Sequence, residues 1–199
     1  MPGKSHSRSV GRPRIFDEQV ALNAVLESFW RRGYEATSLA DLCEATGLHK
    51  GSLYQAFGDK HQLFMRALTS YAEQQAGELV AVASQADSPL AGLRAIVGHL
   101  ASRAGNERGC LLINSMVELA PHDREVRNTL RNIGRRQVGM LTGLIARGQQ
   151  AGQIRPELSP EKLARQLMVT LAGGAATVKG ILEPHEVREV LEELIDAWT

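Results

Sequence analysis

Apolar residues recur along this chain at helical spacing almost from end to end, and no segment shows the strict apolar–polar alternation of a strand. Behind Asp17, an N-cap type, Leu22, Val25, Leu26, Phe29 and Trp30 form one stripe, and Gly33 closes that first helix. Leu39, Leu42 and Cys43 stand at i, i+3 and i+4 behind Ser38, so a short second helix is predicted up to Thr46-Gly47. A third short helix turns Leu48, Leu53 and Phe57 inward. Asp59 caps a fourth, along which Phe64, Ala67, Leu68 and Tyr71 continue the apolar face.

Asp87-Ser88-Pro89 opens a fifth helix that should run to about Arg103, because proline is tolerated in a first turn. A turn at Asn106 to Gly109 follows. Cys110–Leu119 is apolar almost all round, which predicts a centrally buried sixth helix ending at Pro121. Asp123 starts a long seventh, striped by Leu130, Ile133, Met140, Leu141 and Leu144, that stops near Gly152. Ser159-Pro160 opens an eighth helix and Pro184 a ninth, striped by Val187, Val190, Leu191, Leu194 and Ile195. The chain therefore reads as all-α, with about nine helices and no repeat at solenoid spacing.

Residues 38–57 carry the functional signal. Two short helices meet at Gly47, where positive φ is expected, and the second leaves His49, Lys50, Gly51, Ser52 and Gln55 outward. A small, polar, basic face on a short braced helix is the build of a DNA-reading helix-turn-helix. Lys50 suits a guanine edge, whose acceptors an ammonium can reach, and a missing side chain at Gly51 lets backbone approach the duplex. His49 could contact a base or a phosphate, or only cap its helix.

Charge sharpens this picture by its placement. Lys and Arg total 23 against 22 Asp and Glu, a net charge of +1, so no global field marks a nucleic-acid binder. Residues 1–14 nevertheless carry Lys4, Arg8, Arg12 and Arg14 and no acid. Arg12 and Arg14 flank Pro13 in a narrow segment of the kind that enters a minor groove.

Other classes lose ground on the same reading. Two cysteines make no disulfide framework, the polar basic start has no signal-peptide core, and no apolar run nears the roughly 20 residues of a membrane span. A soluble, cytoplasmic protein is expected. The chain shows no Gly-rich phosphate loop, nucleophile elbow or metal-spaced His/Cys cluster, so neither an enzyme nor a metal or cofactor is expected. His122-Asp123 is a tempting pair, but Asp123 is better used as a cap.

The run from Gly11 to Leu68, above all GYEATSLADL, GLHKGSLYQAF and GDKHQLF, resembles the DNA-binding domain of the TetR/AcrR family of bacterial transcriptional regulators. The resemblance implies a basic arm at 1–14, a helix-turn-helix domain at 15–68, and a larger helical ligand-binding and dimerisation domain at 69–199. Thr37, Ser52, Tyr54 and Lys60 match family positions that grip phosphates, and Ser38 is grouped with them; the Tyr54 ring could instead pack in the core. The family further implies a small-molecule effector that alters the spacing of two readers.

One such unit offers a short interface, so useful specificity calls for a homodimer on a palindromic double-stranded operator. Dimer contacts are expected from the last two helices: small residues 171–176 and the amphipathic ninth helix nominate Leu171, Gly174, Val187, Leu191 and Leu194, unless that stripe packs within the chain. Cys110, Asn114 and Glu118 share one helix face and, with Val117, Gln137, Met140 and Leu141, are the candidate effector pocket. Cys110 is either an inert buried thiol or, at a helix start near Arg108, a reactive one. The expected function is a ligand-released repressor; the alternatives are an electrophile-responsive regulator switched through Cys110 and a ligand-independent architectural DNA binder.

Overall fold

Capping side chains set most of the helix boundaries. The computed structural model describes residues 16–104 and 108–199, so Arg12, Arg14 and Asn106 lie outside the described residues. Within them run nine helices: α1 (Glu18–Arg32), α2 (Leu39–Thr46), α3 (Lys50–Phe57), α4 (Lys60–Ser84), α5 (Pro89–Ala104), α6 (Leu111–Glu118), α7 (Arg124–Gln150), α8 (Pro160–Thr177) and α9 (Pro184–Asp196). Asp17 accepts the backbone N–H groups of Gln19 and Val20, and Asp123 those of Glu125 and Val126. Ser38 with Asp41, and Asp59 with Gln62, form reciprocal capping boxes. Gly47 ends α2 in the left-handed region at φ 66°, a conformation that disfavours any side chain.

Two hydrophobic cores result. The first gathers Val25, Phe29, Leu42, Leu53, Phe64 and Leu68 from α1–α4, and it also takes Leu111, Leu112 and Leu119 from around α6 and Val126 from α7. Phe29 sits at its centre, edge-on to Phe64 at 5.2 Å and stacked on Tyr34 at 5.8 Å. The second core joins Leu79 of α4 to α5, the far half of α7, α8 and α9, with Trp198 closing its end. The 68/69 division thus falls inside α4, a 25-residue helix that belongs to both cores.

Two expectations are corrected here. α6 is not buried all round: Leu111, Leu112 and Ser115 point inward, but Met116 is 47% and Val117 74% exposed. Its composition was apolar, yet an eight-residue helix packed on α4, α7 and α8 keeps one open side. The nominated dimer stripe is largely spent inside the subunit. Val187 and Leu191 are buried in the second core, Gly174 lies so close to Val187 that a Cβ there would strike its Cγ1, and Leu171 and Leu194 pack on the same core. The large exposed apolar residues described in this region are instead Val169, Ile181 and Val190.

Candidate nucleic-acid interface and effector cavity

The reader is assembled from its caps upward. Asp41 in the first turn of α2 is held below the usual carboxylate range by the Ser38 hydroxyl and the Ser38 N–H, with Arg32 2.5 Å away assisting. In the α2–α3 turn the Thr46 hydroxyl donates to the Leu42 carbonyl and accepts the Leu48 N–H. Leu53 and Phe57 then anchor α3 in the first core, at 0% and 3% exposure. With those two fixed, helical geometry aims Lys50, Gly51, Ser52, Tyr54 and Gln55 at solvent, and all five are exposed.

This face contains no acid. A Cβ built on Gly51 would meet nothing within 4 Å, so intrachain packing does not account for a glycine there. His49 is the N-cap residue of α3 but makes no side-chain cap bond, which leaves its ring available. Lys50 Nζ lies 5.5 Å from the centre of the Tyr54 ring, and Lys60 Nζ 4.3 Å from that of Tyr34. Lys60 is also the first residue of α4, where unpaired N–H groups favour an anion. Tyr54 is 39% exposed and does not pack in the core.

Thr37 departs from expectation. It is fully buried, its hydroxyl donates to the Gly33 carbonyl at 2.6 Å and its N–H to the Tyr34 carbonyl, so neither donor is presented to a phosphate. Ser38 is exposed, but its hydroxyl donates to Asp41 Oδ2 at 2.6 Å as part of the cap.

A cavity of about 570 Å³ opens in the other half of the molecule. Leu100, Ile113, Met140, Met168, Leu171 and Leu191 are among its apolar walls. Uncharged polar side chains also reach it: Tyr71 and Gln75 of α4, Ser102 of α5, Cys110 at the start of α6, and Gln137 of α7. Gln137 Nε2 donates to Gln75 Oε1 at 3.2 Å, and the Tyr71 hydroxyl lies 3.9 Å from Cys110 Sγ. Burial pushes the Tyr71 phenol far above its ordinary pKa, and the neighbouring thiol adds to the effect, so it stays protonated. The charged lining residues are more exposed and already paired, Arg103 with Glu78 and Arg108 with Glu27.

A reader at one end and a cavity at the other match two family models. Residues 21–67 fit the bacterial regulatory proteins of the tetR family, and residues 89–194 the tetracyclin repressor-like C-terminal domain. The chain belongs to the TetR family. It is 30% identical over 195 residues to the HTH-type transcriptional repressor ComR of Escherichia coli, covering 96% of this chain and 93% of that one. It is 37% identical over 123 residues to an uncharacterized HTH-type regulator, YezE of Bacillus subtilis, covering 59% and 62%. Among solved structures, a cysteine mutant of the TetR family regulator CifR, complexed with 26-base-pair operator DNA, superposes with a TM-score of 0.83. That match has 30% identity and covers 95% of this chain and 100% of CifR. The protein is accordingly a DNA-binding transcription regulator and not an enzyme.

In this TetR-family chain the cavity candidates divide. Cys110, Gln137, Met140 and Leu141 line it; Asn114, Val117 and Glu118 do not. Asn114 donates to the Arg108 carbonyl and lies 2.5 Å from Lys179 Nζ, while Val117 faces solvent. The face they share is real, but α6 turns Leu112, Ile113 and Met116 to the cavity instead. Tyr71 and Gln75 were missed, although a glutamine breaking the α4 stripe between Tyr71 and Leu79 was a readable signal.

Glu118 has a different task. Its carboxylate accepts the N–H groups of Tyr34 and Glu35 at 3.2 and 2.9 Å, gripping the turn that leads from α1 to α2. Further ties join the halves, among them the Trp30 indole N–H donating to the Gly109 carbonyl at 3.0 Å, the Arg108–Glu27 pair, and His61 Nε2 at 2.7 Å from Asp123 Oδ2. Partial burial alone would raise the Asp123 carboxyl. The Val126 N–H and the imidazole outweigh that, and it sits below its usual range.

Glu118→Ala removes the acceptor of two charge-assisted hydrogen bonds and is expected to lower unfolding free energy by about 2 kcal/mol. Glu118→Gln should recover part of the loss, because an amide oxygen still accepts. Urea unfolding of the three proteins checks this, and a silent alanine variant would remove Glu118 from the account of how the halves are joined.

Proposed function

We propose that this protein is a repressor that binds a palindromic operator as a homodimer and leaves it when a small molecule occupies the cavity. The observation that carries the reading is the position of α6, which lines the cavity through Leu112, Ile113 and Met116 and holds the reader's Tyr34–Glu35 turn through Glu118. Pairing is supported by exposed residues of α8 and α9: Val169, Gly173 and Ala176 stand exposed at i, i+4 and i+7 on α8, and Val190 is exposed on α9. Small residues at that spacing let helices approach closely, and two such pairs make a four-helix bundle about a two-fold axis. Half-sites would then lie roughly 34–36 Å apart, or a multiple of that. No described helix is long and apolar enough to cross a membrane, consistent with action on DNA in the cytoplasm.

Selection of bound duplexes from a random pool, with sedimentation of the protein alone and on DNA, tests the reading. An inverted repeat bound by two subunits is expected; a monomer on an asymmetric site would overturn it. Within the same assay, Lys60→Ala should weaken all duplexes alike and reduce the salt slope by about one per subunit, since a phosphate contact carries no sequence information.

A second reading makes Cys110 the switch. The thiol begins α6, makes no cap bond, and opens on the cavity beside the Tyr71 hydroxyl. An aldehyde or quinone would then release operator from wild type and not from Cys110→Ser. Equal release from both would leave only the non-covalent reading.

A further inference from the structure

The cavity's polar groups restrict what it can take. Gln75 is 7% exposed, and its side chain is committed to the cavity between α4 and α7. The single bond between Gln137 and Gln75 uses one donor and one acceptor of the two carboxamides. Among the described residues nothing takes up the Gln75 amide nitrogen or the Gln137 amide oxygen. Among the described residues no fully buried side-chain N or O lacks a partner, so those two groups keep some exposure, and both residues line the cavity. Exchanging O and N in both amides leaves the same balance, one amide nitrogen and one amide oxygen still without a partner.

Neither carboxamide is paired with a charged group, and Tyr71, one turn before Gln75, stays a neutral phenol. An ionised head brought to this end would be buried without a counter-ion, which is strongly unfavourable. Arg103 and Arg108 could attract an anion, but they sit at the more exposed part of the lining and already hold Glu78 and Glu27. The remaining wall is predominantly aliphatic and sulfur-containing.

Resting on the effector-cavity reading above, we infer that the ligand is an uncharged amphiphile: an apolar body whose one head carries both a hydrogen-bond donor and an acceptor, as a carboxamide does, seated on the Gln75–Gln137 pair. Titration calorimetry of the full-length protein with decanamide, methyl decanoate, decanoate and decyltrimethylammonium isolates the head group on a constant chain. Decanamide should bind about tenfold tighter than the ester, which cannot donate, and than either ion, because an unmatched buried polar group forfeits about that much. In the Gln75→Leu, Gln137→Leu double variant the amide preference over the ester should vanish while the ester binds no worse.

Equal binding of amide and ester by wild type, tighter binding of either ion, a preference that survives in the double variant, or no binding by any of the four would each overturn the inference. The head-group series on wild type decides even if the variant does not fold. Operator release is measured separately: amide selectivity without release would sustain the ligand class and refute the effector reading, so the two fail independently.

Discussion

Lys50→Ala should weaken the selected operator by at least about thirtyfold while changing affinity for random duplex by only a small factor. Lys50 opens α3 on a face without acid, next to Gly51, where backbone can come close to a groove floor. A matched contact to a base edge is worth about 1–3 kcal/mol, and the proposed homodimer would make it twice, so the expected loss is about 2–6 kcal/mol. Non-specific binding rests on phosphate neutralisation and loses only one charge per subunit. Titration of both duplexes at matched salt gives the ratio. A uniform loss would make Lys50 a backbone contact; retained specificity would move base reading to Gln55, Ser52 or His49, other polar side chains on that exposed face.

Phe29→Ala should lower unfolding free energy by about 3–5 kcal/mol, the range for deleting a buried aromatic ring. The ring is 1% exposed and touches α4 through Phe64 and the α1–α2 turn through Tyr34. Its removal leaves a hole in the first core beside Phe64 and Tyr34, which helix packing keeps from closing in fully. A typical domain is stable by only 5–15 kcal/mol, so operator binding near body temperature should be largely lost. Because that core includes Leu111, Leu112 and Val126, the reader should not melt ahead of α6 and the start of α7. Urea unfolding followed by circular dichroism and, in a Trp198→Phe background, by Trp30 fluorescence should therefore give coincident curves. A loss under about 1 kcal/mol would show that the site collapses around the deletion.

Helix starts were legible in the sequence because a cap is a local event: Asp17, Ser38, Asp59, Asp123 and Ser159 each bond a backbone N–H two or three residues on. The outward face of α3 was legible for the same reason, since burial of Leu53 and Phe57 fixes its neighbours. What failed was direction across longer separations. Asn114 and Glu118 do share a face, but periodicity does not say whether it looks into a cavity or onto another element, and Glu118 meets a turn 83 residues away. Val187 and Leu191 formed a genuine stripe, yet a stripe reads alike whether its partner lies within the chain or in a second copy. Thr37 carried the right chemistry at a matching position, and its hydroxyl was claimed by the Gly33 carbonyl. Gln75 acquires meaning only with Gln137, which another helix brings to it.

The continuity of α4 has a mechanical corollary. From Gln75 back to Lys60 the helix is unbroken and free of proline, a stiff rod of roughly 22 Å at 1.5 Å per residue. Pivoting it by about 5° at the Gln75 end would carry Lys60 sideways by about 2 Å over that length. Mirrored in a second subunit, such a swing would shift the separation of two α3 helices by up to about twice that, against a DNA pitch that does not stretch to follow.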